Sequence, residues 1–361
     1  MEKRFLFLIV IVLLIFIQCD RNQKDYEEID ISYTIKEIDF PSYMAPSNGG
    51  VNANKNFFSN DDTMLLYYYS RQADSIYIFD VTDTPDLLSS HFFDVNKPNR
   101  EQVLGITPIS RDSLFLLSDS SAYIVDLKSN KSVFYKSIPP KYGLLCRFNT
   151  QIYSEKDHSI YTELIERNVP RRESGILDSR YIAKVNLGAN DINCLMPKVP
   201  DDKNKILGKK YFTIFQDKMF YSYKNSKEIN IIDLSTNKLT MQEFYTPVNL
   251  DNNIKSGKPN IADRLKENML RNTYFGELFA NDQYLYRVQY LPLPARNDTG
   301  LVPGIDQKEA ILLEYNKNLD LNRVLKPDPG LFFFYNLSLH QDNVYALTHT
   351  SKSFTIYKFD I

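Results

Sequence analysis

Five arginines are the residues of this sequence whose type and clustering could bind a ligand. Four lie close together, Arg167, Arg171, Arg172 and Arg180, and the fifth is Arg296 in a stretch that contains Pro and Gly. A guanidinium group donates two parallel hydrogen bonds to a carboxylate, so this set predicts an anion site for a carboxylate ligand or an acidic sugar. The alternative is that these side chains are solvated loop charges without a ligand.

Motifs for metal or nucleophilic chemistry are not visible in the sequence. It contains no His-Glu-x-x-His, Cys-x-x-Cys or Gly-x-Ser-x-Gly, and no two of its four histidines have metal-ligand spacing (His91, His158, His340 and His349). We therefore expect a non-enzymatic binding or scaffold protein with no metal and no cofactor. The alternative is a hydrolase or lyase for glycan or lactone substrates, with a site assembled from distant carboxylates and amides.

The first 19 residues have the pattern of a targeting segment. A charged start at 2–4 is followed by an unbroken apolar run of 13 residues at 5–17, which is short for a membrane-spanning helix. The run ends at Gln18-Cys19, and this arrangement resembles a bacterial lipoprotein signal in which Cys19 is lipidated. Ordinary secretion, an uncleaved anchor and a cytoplasmic chain are the alternatives. The polar residues 20–30 are predicted to form a flexible tether.

The other two cysteines, Cys146 and Cys194, lie among apolar residues. They are predicted to be buried free thiols, or else to form one disulfide in an oxidising compartment. The chain has 43 basic and 45 acidic side chains, which gives no electrostatic case for a nucleic-acid partner.

A strand–turn–strand pattern recurs six times and organises the rest of the chain. Its clearest copy runs from Asp112 to Ile138, where apolar runs rich in Val, Ile, Phe and Tyr alternate with polar turns. Each copy has a leading Asp in the turn between its first two strands (Asp62, Asp112, Asp157, Asp217, Asp282 and Asp342). We interpret these Asp residues as turn formers and not as metal ligands. Six four-stranded units that follow one another along the chain predict an all-β, six-bladed β-propeller.

Closure of the ring is predicted from the two termini. The sixth unit ends at Ile361 after its third strand, while the strand at Ile31–Phe40 has no nearby hairpin partner. We therefore predict one propeller domain at 31–361 in which the first strand completes the last blade. A seven-bladed ring or a two-sheet sandwich is the alternative architecture.

Three long connections are expected to emerge on one face of this ring. The segments 166–179 and 291–308 interrupt the middle strands of the third and fifth blades, and 248–273 joins the fourth blade to the fifth. The four clustered arginines lie in or beside 166–179, and Arg296 lies in 291–308. Long loops in a compact domain are often functional, so this face is the predicted binding face.

The lipoprotein-like start, the units at Asp112 and Tyr123 and the N-terminal closing strand together resemble uncharacterised β-propeller lipoproteins of Bacteroidota with six-bladed, TolB-like rings. The resemblance implies a bacterial outer-membrane lipoprotein, periplasmic or surface-exposed, that is held to the membrane through lipid on Cys19. It also implies a binding or scaffold role toward an envelope protein, a glycan or a peptide. It carries over no catalytic residue.

Overall fold

The chain forms six small antiparallel sheets arranged as a ring, in a computed structural model. The structure describes residues 26–39, 55–60, 62–70, 73–92, 103–118, 121–138, 142–144, 151–166, 180–188, 191–195, 210–224, 226–247, 272–293, 308–327, 335–349 and 353–361. All regular secondary structure in these segments is β-strand. The prediction of an all-β, six-bladed propeller is confirmed.

The six blades follow one another in chain order around the ring, while the two N-terminal strands join the last two blades. The N-terminal segment forms β1 (Glu27–Ile31) and β2 (Tyr33–Asp39). Blade 1 contains β3 (Lys55–Ser59), β4 (Met64–Ser70), β5 (Ser75–Asp80) and β6 (Asp86–Phe92). Blade 2 contains β7 (Val103–Ser110), β8 (Ser113–Ser118), β9 (Ser121–Asp126) and β10 (Lys131–Ser137). Blade 3 contains β11 (Tyr142–Leu144), β12 (Gln151–Ser154), β13 (Ser159–Glu166), β14 (Arg180–Asn186) and β15 (Asp191–Leu195).

The second half of the chain supplies the remaining three blades. Blade 4 contains β16 (Lys210–Phe215), β17 (Lys218–Tyr223), β18 (Glu228–Asp233) and β19 (Leu239–Glu243). Blade 5 contains β20 (Tyr274–Ala280), β21 (Leu285–Tyr290), β22 (Ala310–Tyr315) and β23 (Leu321–Pro327). Blade 6 contains β24 (Tyr335–His340), β25 (Asn343–His349) and β26 (Ser353–Asp360).

The innermost strands form a closed circle around the ring axis. Strands β3, β7, β12, β16, β20 and β24 each contact the innermost strand of the next blade, and β24 contacts β3. Apolar clusters fill each of the six junctions between blades in the described part of the chain. A middle strand such as β4 is buried on both faces, which explains its almost unbroken apolar sequence. A blade alone would expose both faces, so closing the ring removes this apolar surface from water.

In blades 1 to 5, an Asx turn closes the hairpin between the third and fourth strands. The Oδ1 atom of the residue ending or following the third strand accepts a hydrogen bond from the backbone N–H two residues later, at 2.8–3.0 Å (Asp80, Asp126, Asn186, Asp233 and Asn316). Hydrogen bonding by Ser235 and by backbone lowers the pKa of Asp233 to about 2. These side chains therefore hold turns.

The leading Asp residues lie in the turns between first and second strands, as predicted. Three of their carboxylates form ion pairs with lysines: Asp112 with Lys128 at 2.7 Å, Asp157 with Lys184 at 2.7 Å, and Asp217 with Lys156. The backbone carbonyl of Asp112 accepts the N–H of Leu127 at 2.8 Å. The same carbonyl role recurs in blades 4 and 6, so the turn is a repeated structural element.

The N-terminal segment clasps two blades. Strand β2 pairs antiparallel with β26 from Tyr33 to Asp39 and completes blade 6, which confirms the predicted closure. Strand β1 pairs parallel with β23 and forms a fifth strand on blade 5. The tether prediction was therefore wrong for residues 27–30. Charged residues fit this position because an outermost strand keeps one side in water, and Glu28 pairs there with Lys326.

The inner strand of blade 3 also differs from the prediction. The sequence favours an apolar run at 144–148 as this strand, whereas the structure pairs both β11 and β12 with β13. Apolar content does not fix the inner strand here, because β12 begins with Gln151, whose amide accepts a hydrogen bond from Thr107 of blade 2. No helix capable of crossing a membrane is present in the described segments.

A buried arginine joins blades 4 and 5. The guanidinium of Arg287 on β21 lies 3.3 Å from the ring centre of Phe275 and donates hydrogen bonds to the carbonyls of Ser226 at 2.6 Å and Lys227 at 3.2 Å. Burial lowers the pKa of Arg287 to about 9. Arg287 is also paired with Leu278 in the β20–β21 ladder. Its hydrogen bonds to blade 4 therefore fix the position of β20 against that blade.

The clasp yields a stability prediction. Ile31 is 4% exposed and packs against Val344 and Phe359 between blades 5 and 6, whereas Ile35 on β2 is 54% exposed. We expect Ile31→Ala to lower the free energy of unfolding by about 2–4 kcal/mol in urea denaturation. The control Ile35→Ala should cost less than about 0.5 kcal/mol. Equal effects of the two substitutions would show that β1 does not hold the ring.

Candidate ligand-binding site

The innermost strands enclose a cavity of about 340 Å³ on the ring axis. All six blades contribute to its wall, and most of the polar groups that they contribute are neutral. One representative from each blade is Asn56, Thr107, Gln151, Tyr211, Glu277 and Ser338. Aromatic side chains complete the wall, among them Phe58 and Phe279. Polar groups combined with aromatic walls are typical of small-molecule sites.

A hydroxyl–amide pair bridges blades 2 and 3 in this wall. Thr107 Oγ1 donates a hydrogen bond to Gln151 Oε1 at 2.6 Å, and both residues are buried. Gly105 makes room for this amide, because a Cβ at that position would collide with the Gln151 side chain. Asn56 Nδ2 similarly joins blades 1 and 2 by donating to the carbonyl of Ile106 at 3.1 Å. These two hydrogen bonds therefore fix the parts of the wall from blades 1, 2 and 3 relative to one another.

Glu277 supplies the one carboxylate among the described lining residues. It lies in an irregularity of the β20–β21 ladder between Phe275 and Leu278, and β24 has a matching irregularity between Tyr335 and Ser338. The Glu277 carboxylate accepts the backbone N–H of Leu337 at 3.0 Å. β-Bulges re-aim side chains and free backbone donors, which explains how this carboxylate connects blades 5 and 6.

A buried lysine lies close to this part of the axis. The Lys55 ammonium at the start of β3 is fully buried, 4.9 Å from the ring centre of Phe354. Burial lowers the pKa of Lys55 to about 7, and attraction to Glu277 partly opposes that shift. The one carboxylate of the described channel wall thus lies near a buried amine whose charged form is disfavoured by burial.

A hydroxyl–imidazole pair lies where the inner strands of blades 1 and 6 end. Ser59 Oγ, which lines the cavity, is 3.0 Å from His340 Nδ1. Burial lowers the pKa of His340, which favours the neutral form of the imidazole. No carboxylate hydrogen-bonds to His340 among the described residues. A serine with a neutral histidine is the minimal pair of a nucleophile and its base.

A second cationic feature lies at the base of the long connections of blades 4 and 5. The ammonium groups of Lys224 and Lys308 lie 4.0 Å and 4.3 Å from the ring centre of Tyr274, which stacks on Tyr290 at 4.6 Å. Burial lowers the pKa of Lys308 to about 7, and the nearby Lys224 adds to this shift. Lys308 also donates to the carbonyl of Asn272 at 2.6 Å.

The arginines that the sequence singles out are not tested by the described part of the structure, and their site stays a prediction. Arg167, Arg171, Arg172 and Arg296 lie outside the described residues, and Arg180 is described only as backbone at the start of β14, opposite Ile165. Cys19 and Cys146 also lie outside, and Cys194 is described only as backbone in β15. The described residues contain no cluster of three or more His, Cys, Asp or Glu suited to a metal ion.

The channel residues were missed in the sequence because no local motif connects them. Thr107, Gln151 and Glu277 are far apart in the chain and meet only when the ring closes. A usable signal was the interruption of apolar inner-strand runs by single polar residues, such as Thr107 within Val103–Ile109 and Glu277 within Tyr274–Phe279.

Comparison with known proteins supports the architecture. No protein-family model and no curated protein matches the sequence. The fold is similar to that of a DUF4221 family member from Bacteroides vulgatus, with a TM-score of 0.65 and 11% identity over 90% of this chain and 96% of that one. It is also similar to a luciferin-regenerating enzyme, with a TM-score of 0.51 and 8% identity over 91% and 95% of the two chains.

A third similar structure is the calcium-binding protein regucalcin from Agrobacterium tumefaciens. Its TM-score is 0.50 with 6% identity, over 93% of this chain and 97% of that one. Identities this low establish a common fold and carry no assignment of activity or ligand.

Lys55 yields a prediction of pH-dependent stability. Its pKa is lowered from 10.5 to about 7 on folding, so between these values the unfolded chain binds a proton that the folded protein does not. The free energy of unfolding should therefore rise with pH across this window, and the gain is lost as the pH falls through 7. Lys55→Met should flatten this rise when urea midpoints are measured from about pH 7 to about pH 10.

The matched control is the exposed Lys238. Lys238→Met should leave the slope of the pH profile unchanged. Part of the slope should persist in Lys55→Met because Lys308 is similarly shifted. A Lys55→Met profile that coincides with the wild-type profile would contradict the prediction.

Proposed function

We propose that this chain is an exported, lipid-anchored binding propeller that holds a small polar ligand in its axial channel. The observation that carries the proposal is the cavity wall, to which all six blades contribute polar side chains, and cross-blade hydrogen bonds fix Asn56, Thr107, Gln151 and Glu277 among them. Its volume of about 340 Å³ is at the small end of ligand sites. It suits a ligand as small as one sugar or one amino acid.

The composition of the wall favours binding over glycoside hydrolysis. Glycosidases commonly use two carboxyl groups, one as acid and one as base or nucleophile. The described wall has Glu277 alone, with amides and hydroxyls from the other blades. Amides and hydroxyls both donate and accept hydrogen bonds, so they suit the hydroxyl groups of a sugar or the polar ends of a peptide.

Export and anchoring belong to the proposal on sequence grounds. The apolar run that ends at Cys19 supports cleavage and lipidation there, and the resemblance to envelope lipoproteins supports an outer-membrane location, periplasmic or surface-exposed. The partners are then the membrane, through lipid on Cys19, and an envelope protein, glycan or peptide ligand.

The arginines define a second place for a ligand within the same function. Arg167, Arg171, Arg172, Arg180 and Arg296 lie in or beside the connections of blades 3 and 5, and would recognise an acidic ligand. Lys224, beside Tyr274 at the base of the connections of blades 4 and 5, adds a further cationic side chain to the proposal.

The ligand site is tested by a thermal-shift screen of the purified chain against neutral sugars, uronic acids, short peptides and Ca²⁺. For any probe that stabilises the protein, Glu277→Gln should weaken binding about tenfold if the ligand donates a hydrogen bond to the carboxylate. The variant Arg171→Ala/Arg172→Ala is the matched control for the other face. It should leave binding in the channel unchanged.

If Arg171→Ala/Arg172→Ala weakens binding and Glu277→Gln does not, the ligand site lies on the arginine face instead. Binding that responds to neither variant, measured by isothermal titration, would overturn the channel site. A full screen without any stabilising probe would count against the binding function itself.

Hydrolysis is the second candidate function, and the Ser59–His340 pair is the observation that favours it. A hydrolase that uses this pair would attack an ester or lactone carbonyl through Ser59 Oγ, with His340 taking the proton. A binding protein has no such turnover. We expect wild type and Ser59→Ala to hydrolyse p-nitrophenyl acetate and δ-valerolactone at the same rate as buffer. Hydrolysis by wild type that Ser59→Ala abolishes would establish the hydrolase instead.

A further inference from the structure

We infer that the outer rim of blades 4 and 5 is the surface that faces the lipid bilayer. The inference rests on the proposed lipidation of Cys19 and adds to it the orientation of the ring. Three observations carry it: the length of chain between the lipid and the ring, the point where that chain joins the ring, and the side chains exposed there.

The tether is short. Seven residue steps separate Cys19 from Tyr26, the first described residue. Fully extended, seven steps reach about 25 Å. A flexible chain of that length has a typical end-to-end distance of about 15 Å. The point where the tether joins the ring is therefore held within a short distance of the bilayer.

That point lies on the rim. Tyr26 directly precedes β1, and β1 is fixed to the outer edge of blade 5 by its parallel ladder with β23. The Tyr26 ring lies 5.9 Å from the ring of Tyr245, which follows the outer strand of blade 4. The tether thus joins the ring where blades 4 and 5 meet at their outer edges, away from the axis.

The side chains around this point suit a membrane interface. Tyr245 and Met241 are among the large apolar side chains that remain exposed on the described surface, at 39% and 46%. Tyrosine is enriched at the level of lipid headgroups because its ring is apolar and its hydroxyl is polar. Lys326 pairs with Glu28 close by, which compensates a carboxylate that would otherwise be repelled by anionic lipid. We call Tyr26, Met241 and Tyr245 the tether-side patch.

Another exposed apolar set lies on the opposite side of the ring. Leu87, Leu88 and Phe92 are exposed on β6, the outer strand of blade 1. Blades 1 and 4 are opposite each other in a ring of six, so their rims cannot both face one flat bilayer. The short tether selects the blade 4 and 5 side, and blade 1 then points away from the membrane.

The absence of Trp from the sequence permits a direct test. Met241 and Leu88 are exposed to almost the same extent, 46% and 45%, and lie on opposite blades. Each is replaced by Trp in the lipidated protein, which is then inserted into phosphatidylcholine vesicles with brominated acyl chains. We expect the Met241→Trp fluorescence to shift to the blue and to be quenched. The Leu88→Trp fluorescence should be the same in vesicles with and without bromine.

Equal quenching of the two probes, or stronger quenching at position 88, would overturn the orientation. Tyr245→Trp serves as a second tether-side probe if Met241→Trp lowers the thermal midpoint. Incorporation of radiolabelled palmitate by wild type, with Cys19→Ser as control, separately tests the anchor. A chain that takes up no palmitate removes the premise and the inference together. A lipidated Met241→Trp variant whose fluorescence is not quenched overturns only the orientation.

Discussion

Non-covalent closure of the ring is the constraint on which the rest of the structure depends. Blade 6 lacks a fourth strand from its own part of the chain, and β2 supplies it through a seven-residue antiparallel ladder. Strand β1 extends this clasp to blade 5, and Lys36 extends it to blade 1 by donating to the carbonyls of Val81 and Thr82. One short segment therefore joins three blades that the order of the chain alone would leave as an open end.

The geometry of the axial site follows from that closure. Its hydrogen bonds run between blades and not within them: Thr107 to Gln151 joins blades 2 and 3, and Leu337 to Glu277 joins blades 6 and 5. Each bond holds only while its two sheets keep their spacing, so an open ring would lose the wall before it lost any strand. The innermost strands β7, β20 and β24 have irregularities in their ladders. Such β-bulges redirect side chains, which allows them to turn toward the axis.

Most of the fold was predictable from the sequence because its signals are local and repeated. Strand composition and the turn at each leading Asp recur from one unit to the next. Two errors show where local signals fail. The charged residues Glu27 and Glu28 resemble a tether, yet an outermost strand accepts them because one side stays in water. The apolar run at 144–148 resembles an inner strand, yet the ladder to β13 uses Gln151–Ser154.

The candidate site was not predictable for a different reason. Each wall residue comes from a different blade, so its role depends on a distance between sheets that no spacing in the sequence encodes. This separation of site from local motif also bears on how the ring would meet a membrane. If the rim of blades 4 and 5 faces the bilayer, the ring axis lies along the membrane plane, and the lipid covers neither end of the channel. The wall residues then stay accessible from the aqueous phase while the tether holds the protein in place. An anchor joined to either face of the ring would instead turn one end of the channel toward the lipid, so the position of β1 on the outer edge is what keeps binding and anchoring compatible.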